Sequence, residues 1–317
     1  MPTEARAERL FERLNHRFFH FVDQLPKRLK IVARLKSTFL GGPAEGEFEG
    51  VAGLNPVLAG TPWLFWEQCR DLEDDSFLNI AEAGTMYVLA SILLDHLVDG
   101  QADPQEEIAL LQQAFWAHGV GLYRRQFANH TPFWGHFDRL AGDHVAGLAK
   151  ELETQNSFPT IELEHLQMMA HGKVSPIITT MAAFAEASGR PEMLVSIEES
   201  LNNIAIASQL LDDVGDWEHD SGSGHWTFYL SQIALPGKAD DLDRMREAID
   251  SEWHDVNHLR LVIHWLDESS HAVEGMNCPG WLAYIGGYRQ LTNDHLTAAI
   301  AHHLMRTLRP LVQSKNK

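Results

Sequence analysis

Five acidic side chains and no lysine or arginine occupy residues 208–220, SQLLDDVGDWEHD. Residues four apart share one face of a helix, so Asp212 and Asp216 lie one above the other, with Asp213 beside them. Like charges at this spacing repel, and Mg²⁺ held by carboxylates together with substrate phosphates would relieve that repulsion. The alternative is a solvated acidic helix face. Taken alone, this stretch favours neither interpretation.

A second acidic site follows the apolar segment 86–94, in the sequence LLDHLVDG. A charge at Asp95, inside so apolar a helix, is costly unless it is paired, protonated or bound to a metal. Asp99 follows one turn later on the same face, and Gly100 is typical of a helix end. Acids at a helix C-terminus oppose the helix dipole, which argues against a purely structural acid pair. The segment therefore predicts a functional pair of carboxylates.

The composition narrows the classes of partner. The 317 residues are 44% hydrophobic and 22% charged, and the formal net charge is −19. This charge argues against nucleic acid or an anionic membrane as partner, and an anionic substrate would need metal ions as intermediaries. Cys69 and Cys278 cannot form a disulfide framework or a four-ligand zinc site. With no secretory signal and no apolar stretch of membrane-spanning length, we expect a cytoplasmic protein without stable membrane insertion.

Helical spacing of apolar residues runs through the chain, with no strand-like alternation of any length. The predicted helical segments are 4–40 with an interruption at Pro26, 82–100, 106–122, 134–152, 160–171, 173–189, 191–220, 228–233, 238–252, 255–271 and 291–311. A mobile loop is expected over 41–53, a turn at 277–280 and a break at the glycine pair 286–287. The aromatic residues Trp63, Phe65 and Trp66 are expected in a core. The fold class is predicted to be all-α, as a single domain over 1–317, with N-terminal helices and loop in 1–60 and the main bundle in 61–317.

Two further features bear on the chemistry. Lys173 precedes Ser175 and Pro176 at the start of a segment of small residues. It is either a surface lysine near a helix end, the commoner fate of lysine, or a contact for phosphate. A di-iron site would require glutamates and Glu-x-x-His motifs at matching positions, and the two acidic motifs, at 95–99 and 212–216, provide neither. Motifs built from aspartates favour the oxygen-binding ion Mg²⁺ instead.

The order of these motifs resembles that of class I isoprenoid synthases, especially the trans-polyprenyl diphosphate synthases and the related bacterial terpene synthases. The second aspartate-rich motif of these proteins, Q-x-x-D-D-x-x-D, is matched in full by Gln209, Asp212, Asp213 and Asp216. The G-K-x-T that follows it is similar to residues 224–227, GHWT, in which His225 replaces the lysine. The first motif, DDxxD, is similar to residues 95–99, in which His96 replaces the second aspartate. Lys173, Val174 and Ser175 are similar to a lysine-threonine motif.

The resemblance implies an antiparallel helical bundle around a deep apolar cavity, with the two acidic motifs facing each other at its mouth. Mg²⁺, up to three ions, with Mn²⁺ as an alternative, would hold the diphosphate of an allylic isoprenoid and assist its departure. The implied metal ligands are Asp95, Asp99, Asp212, Asp213 and Asp216. The implied contacts to the diphosphate are Lys173, Gln209 and His225. The prenyl chain would lie in the cavity, where aromatic faces stabilise a carbocation, and the family further suggests a homodimer.

Departures from the pattern separate the candidate reactions. Chain-elongating synthases carry an N-terminal G-K-x-x-R-P segment and an arginine pair after the first motif. Here residues 100–104, GQADP, contain no arginine, and residues 35–50 contain Lys36 without a matching arginine pattern. A single-substrate reaction follows, and we expect a terpene synthase, although the Asn-Ser-Glu motif of many such enzymes is also absent.

Two alternatives remain. One is a trans-prenyltransferase that condenses the allylic diphosphate with isopentenyl diphosphate or another acceptor. The other is a non-catalytic partner subunit or lipid-binding module. The replacement of a motif aspartate by His96 and of a motif lysine by His225 favours this alternative.

Overall fold

The computed structural model describes residues 4–40, 45–129, 131–155, 160–233 and 242–314, with side chains up to 308. Within these ranges the chain forms helices and no β-strand, with one isolated bridge between Leu35 and Glu47. The α-helices are α1 (Ala5–Gln24), α2 (Lys27–Val32), α3 (Lys36–Leu40), α4 (Pro56–Ala59), α5 (Thr61–Leu64), α6 (Trp66–Cys69), α7 (Asp74–Val98), α8 (Gln105–Phe127), α9 (Thr131–Gln155), α10 (Leu163–Ala187), α11 (Met193–Ser223), α12 (Phe228–Ile233), α13 (Leu242–Glu252), α14 (His254–Ala272) and α15 (Pro279–Ser314). The all-α prediction is confirmed.

Two compact units make up the chain. The first comprises Met1–Leu148, Gly172–Glu198 and Gly275–Leu282, and the second comprises Ala149–His171, Glu199–Glu274 and Ala283–Lys317. Helices α9, α10, α11 and α15 each contribute residues to both units. The expectation of a single domain stays a prediction.

The first unit is organised around α7, whose residues are buried over most of its length. Small residues let neighbouring helices approach closely: a Cβ on Gly84 would lie 2.4 Å from the side chain of Thr180 in α10. In the same way, a Cβ on Gly119 of α8 would lie 2.9 Å from the carbonyl oxygen of Ala83. Contrary to the expectation from the sequence, α7 is long and apolar enough to cross a membrane, but 78% of the segment that meets this criterion is buried inside the protein. A core helix has the same composition, because it is surrounded by other apolar helices.

The predicted aromatic core is confirmed. Trp63, Phe65 and Trp66 are buried, and the indole N–H of Trp63 donates to the carbonyl oxygen of Ala7 at 2.9 Å. Phe65 stacks on Trp281, with 5.0 Å between the ring centroids. Burial of such side chains is the main source of stabilisation in a helical core.

A polar group also fixes α1 in the first unit. Glu82 of α7 is buried and contacts both Arg17 of α1, at 3.1 Å, and His118 of α8, at 3.0 Å. Burial opposes ionisation of Glu82, but the hydrogen bonds and charges of His118 and Arg17 together hold its pKa below the usual value. The carboxylate therefore ties three helices together as an ion.

In the second unit, a cluster of buried side chains surrounds α12, namely Ile161, Met169, Trp226, Tyr229, Leu230, Ile233, Met245 and Ile249. Val214 and Trp217 of α11 pack against it, so the acidic segment also presents an apolar face to this cluster. α12 has the predicted bounds. His258 of α14 donates from Nε2 to the carbonyl oxygen of Leu210 at 3.0 Å, and burial lowers its pKa to about 4. The neutral imidazole thus links α14 to α11.

The structure differs from several of the predicted helix boundaries. Segments 160–171 and 173–189 form one helix, α10, with Pro176 inside it. α15 begins at Pro279, inside the predicted turn at 277–280, and runs through the glycine pair at 286–287. Tertiary packing outweighs the free-energy cost of placing glycine or proline within a helix. A local sequence pattern does not reveal this packing. Residues 41–44 of the predicted mobile loop and 238–241 of a predicted helix lie outside the described residues.

Candidate functional site

The first acidic motif lies at the C-terminal end of α7, where a glycine ends the helix. Gly100 has a φ of +67°, and its N–H donates to the carbonyl oxygen of Leu97 at 3.4 Å. The N–H of Gln101 donates to the carbonyl oxygen of His96 at 2.9 Å, which completes a Schellman motif. The predicted helix end is confirmed. Asp95 therefore lies in the last turn of α7 and Asp99 at its C-cap.

Asp95 lies beside Lys173 of α10. The Lys173 Nζ atom is 3.8 Å from Asp95 Oδ1, and each side chain is somewhat less than a third exposed. Oδ1 is shielded from solvent and accepts no hydrogen bond from the described part of the chain. A buried carboxylate oxygen without a donor is costly, so this atom is suited to a cation or another ligand.

Lys173 lies within α10 rather than at a helix end. Pro176 has no N–H, so the carbonyl oxygen of Gly172 lacks its intrahelical donor. The Nδ1–H of His144 in α9 donates to this oxygen at 2.9 Å and so replaces the missing bond. A Cβ on Gly172 would lie 2.7 Å from Gly147 Cα, which shows how closely α9 and α10 approach. The close crossing positions both His144 and Lys173.

A cavity of about 190 Å³ connects these side chains. Asp95, His144 and Lys173 line it together with the apolar side chains of Leu58, Val88, Ile92, Pro176 and Ile177. Ligand pockets usually exceed about 300 Å³, so this cavity accommodates part of a substrate. A lining that combines charged and polar groups with apolar side chains suits a ligand that has both an anionic and a hydrocarbon part.

Sequence reasoning missed His144. It is one of 18 histidines and belongs to no motif. The proline inside α10 signals a carbonyl group that needs a donor, but only the packing of α9 against α10 identifies that donor.

The second acidic motif divides into exposed and buried carboxylates. Asp212 and Asp216 are exposed, one turn apart on α11. Asp213 is 2% exposed; its Oδ1 accepts from Gln209 Nε2 at 3.1 Å, and its Oδ2 accepts from the Tyr229 N–H at 3.3 Å. Burial raises the pKa of Asp213 to about 7, against the opposing effect of these two bonds. Asp213 and Gln209 thus hold the start of α12.

His225 lies in the segment between α11 and α12. Its backbone N–H donates to the carbonyl oxygen of Asp220 at 2.9 Å, and its Nδ1 is 3.4 Å from Gln155 Nε2. Thr227 caps α12, since its Oγ1 accepts from the Leu230 N–H at 3.2 Å. Burial raises the pKa of Asp220, which also lies near Asp216 and Asp212. Asp212, Asp216 and Asp220 therefore form a cluster of acidic side chains in the second unit.

The carboxylates of the two acidic motifs are candidate ligands for a divalent cation. No group of three or more His, Cys, Asp or Glu side chains among the described residues is arranged as a complete metal site. Mg²⁺ does not require one, because it commonly binds one or two carboxylates, waters and substrate phosphates. The shielded Oδ1 of Asp95, with Asp99 one turn away, fits such partial coordination.

Comparisons of the sequence with known proteins gave no match: no protein-family model matches it, and no curated protein does. The structure, in contrast, is similar to solved structures. The octaprenyl pyrophosphate synthase of Helicobacter pylori gives a TM-score of 0.67 at 12% identity, covering 91% of this chain and 99% of that chain. The chain has the isoprenoid synthase fold.

Two other solved structures give the same result. The geranylgeranyl pyrophosphate synthetase of Geoglobus acetivorans gives a TM-score of 0.66 at 15% identity, covering 92% of this chain and 99% of that chain. The geranyltranstransferase of Thermotoga maritima gives 0.62 at 13% identity, covering 91% and 99%. At this identity the isoprenoid synthase fold is shared, and residue roles are not transferred. The fold expectation from the motifs is confirmed.

Proposed function

We propose that this protein ionises an allylic prenyl diphosphate and transfers the resulting prenyl cation to an acceptor. The observation that carries the proposal is the cavity in which Asp95 and Lys173 lie 3.8 Å apart, beside apolar walls. The names of the three similar structures describe prenyl transfer or prenyl diphosphate synthesis. This supports the prenyltransferase alternative better than the terpene synthase expected from the sequence.

The residues singled out by the sequence motifs have proposed roles in binding the diphosphate group of the substrate. Asp95 and Asp99 of the first unit would hold Mg²⁺ or Mn²⁺, and the same role is proposed for Asp212, Asp213 and Asp216 of the second unit. The chemistry supplied by bound Mg²⁺ is neutralisation of the charge that develops on the departing diphosphate. Lys173 contributes a fixed positive charge to the cavity. Gln209 and His225 are proposed to order the surroundings of the diphosphate.

The apolar walls have a separate role. A prenyl cation reacts with water, so the side chains of Val88, Ile92 and Ile177 keep the cation away from bulk solvent. We further propose that the protein acts in the cytoplasm as a homodimer.

The decisive experiment incubates the purified protein and Mg²⁺ with C10, C15, C20 and C25 allylic diphosphates. Each is tested with and without isopentenyl diphosphate, and both diphosphate release and products are measured. A new, longer prenyl product that requires the acceptor would support the proposal. If no substrate releases diphosphate under any combination, the proposed prenyl transfer is rejected in favour of a non-catalytic protein.

Terpene synthesis from one substrate is the second candidate. The absence of arginine in residues 100–104 removes the cationic groups that a second diphosphate requires. In the same experiment, hydrocarbon or alcohol products formed without isopentenyl diphosphate, and unchanged by adding it, would decide for this candidate.

A further inference from the structure

His144 is held in one tautomer by a bond to the backbone. Its Nδ1 is 2.9 Å from the carbonyl oxygen of Gly172, which can only accept, so Nδ1 carries the proton. Pro176 makes this bond necessary, because it removes the N–H that would otherwise satisfy Gly172. The other ring nitrogen, Nε2, therefore carries a lone pair when the ring is neutral.

The lone pair of Nε2 has no hydrogen-bond partner among the described residues. His144 is 7% exposed, and Nε2 is shielded from solvent without a hydrogen bond from any described residue. Burial lowers the pKa of His144, with the nearby charge of Lys173 acting in the same direction and Asp95 and the Gly172 bond opposing it. A buried acceptor without a donor is costly and is uncommon in native structures, so this atom calls for a function.

The location of His144 indicates what that function is. It lines the same cavity as Asp95 and Lys173, whose remaining walls are mostly apolar. The two charged groups lie where the diphosphate is proposed to bind. His144 therefore offers a water-shielded basic nitrogen next to the site at which a prenyl cation would form.

We propose that His144 Nε2 is the proton acceptor that ends the reaction; this inference rests on the proposed function. The C–O bond of the substrate breaks, and its electron pair leaves with the diphosphate. The cation, directly or after bonding to an alkene acceptor, loses a proton from a neighbouring carbon. The C–H electron pair forms the new C=C bond, and the proton moves to Nε2. The imidazolium later returns its proton to the released diphosphate or to water.

His144→Asn tests this role separately from the structural one. The Asn amide nitrogen can take the place of Nδ1 and keep the bond to Gly172, while nothing replaces Nε2. A positioned base contributes about 10²–10⁴-fold to proton transfer. Alkene formation should thus fall by about 10²-fold or more. Diphosphate release and melting temperature should stay near wild type, and prenyl alcohol from capture of the cation by water should increase.

The matched control is His136→Asn, on the same helix at a partly exposed residue that lies 3.7 Å from Glu186 and outside the cavity. It should leave the ratio of alkene to alcohol unchanged. Unchanged alkene formation in folded His144→Asn would overturn the role of His144 alone. Absence of diphosphate release from the wild-type protein would instead overturn the proposed function.

A measurement on the wild-type protein does not depend on the variant folding. The ¹⁵N signals of the histidine rings are recorded with Mg²⁺ and a non-ionisable prenyl thiolodiphosphate. We expect a shift of the His144 Nε2 signal and nuclear Overhauser contacts between its ring proton and the prenyl chain. A bound analogue without these contacts would contradict the proposal.

Discussion

Asp95 and Asp213 carry the same side chain in opposite surroundings. Asp95 lines a cavity beside Lys173, and its Oδ1 has no hydrogen-bond donor in the described residues. Asp213 is buried, and each of its oxygens accepts a hydrogen bond from Gln209 or Tyr229. Asp95 is therefore arranged for an external ligand, whereas the contacts of Asp213 organise the protein itself. A metal-binding role for Asp213 stays a prediction.

At the residue scale, we expect Asp95→Asn and Asp212→Asn each to reduce Mg²⁺-dependent diphosphate release strongly. Removing one group that stabilises developing charge costs about 10²–10³-fold in turnover. Release of diphosphate is measured under saturating substrate, with circular dichroism to verify folding. Asp294→Asn is the control, an exposed aspartate of α15 that accepts from Gln290. Wild-type rates in Asp95→Asn or Asp212→Asn would contradict the assignment of that residue.

The buried Glu82 makes stability depend on pH. Because its pKa in the folded protein is below the ordinary glutamate value of 4.5, the native state binds fewer protons than the unfolded state between the two pKa values. The stabilisation is therefore present above about pH 4.5 and is lost as the pH falls through the lowered pKa.

We expect Glu82→Gln to lose about 1–3 kcal/mol of unfolding free energy at pH 7, since Arg17 and His118 lose their charged partner. The difference from wild type should shrink at acid pH, as measured by urea unfolding across a pH series. Glu12→Gln, on the exposed face of α1, serves as the control and should show no such trend. A difference that is constant with pH would contradict this interpretation.

At the scale of elements, the crossing of α9 and α10 builds the candidate site. Gly147 and Gly172 allow the two backbones to approach, and this approach brings His144 to the Gly172 carbonyl group. Pro176 can therefore remain inside α10, because a side chain of another helix satisfies the oxygen that it leaves unbonded. The same few residues determine the path of α10 and the position of Lys173.

Gly172→Ala should separate the two helices, since its Cβ would lie 2.7 Å from Gly147 Cα. Overpacking of this kind costs about 1–3 kcal/mol, and the displacement should also reduce diphosphate release. Gly142→Ala on α9 meets no atom within 4 Å and should stabilise the protein by roughly 0.5–1 kcal/mol. Thermal unfolding of both variants tests the crossing. An increase in stability in both would show that the helices are not in close contact.

At the scale of the whole molecule, the net charge of −19 repels an anionic substrate. Binding of diphosphate therefore requires local cations, of which Lys173 is one and Mg²⁺ is proposed to supply the rest. A ligand that binds only the native state raises the apparent stability.

We expect Mg²⁺ and inorganic diphosphate together to raise the melting temperature more than the sum of their separate effects. At a ligand concentration of 100 times Kd, the stabilisation is about 2.7 kcal/mol. Differential scanning calorimetry of the wild type and of Asp95→Asn provides the test. An equal shift in both proteins would indicate that the ions bind elsewhere.

The sequence by itself determined the helical fold and the positions of the acidic motifs. Helical spacing, the glycine that ends α7 and the shared face of Asp212 and Asp216 depend on contacts within a few residues, which a local pattern encodes. The motif order further indicated the fold that the structural comparisons confirm.

Only the tertiary structure decided which polar groups meet. It kept Pro176 inside α10, buried Asp213 beneath α12 and selected His144 from 18 histidines as the one beside Asp95 and Lys173. These contacts join residues distant in sequence, so they depend on how helices pack rather than on any local period. The physical reason is that an unsatisfied buried group takes its partner from whichever helix packs against it.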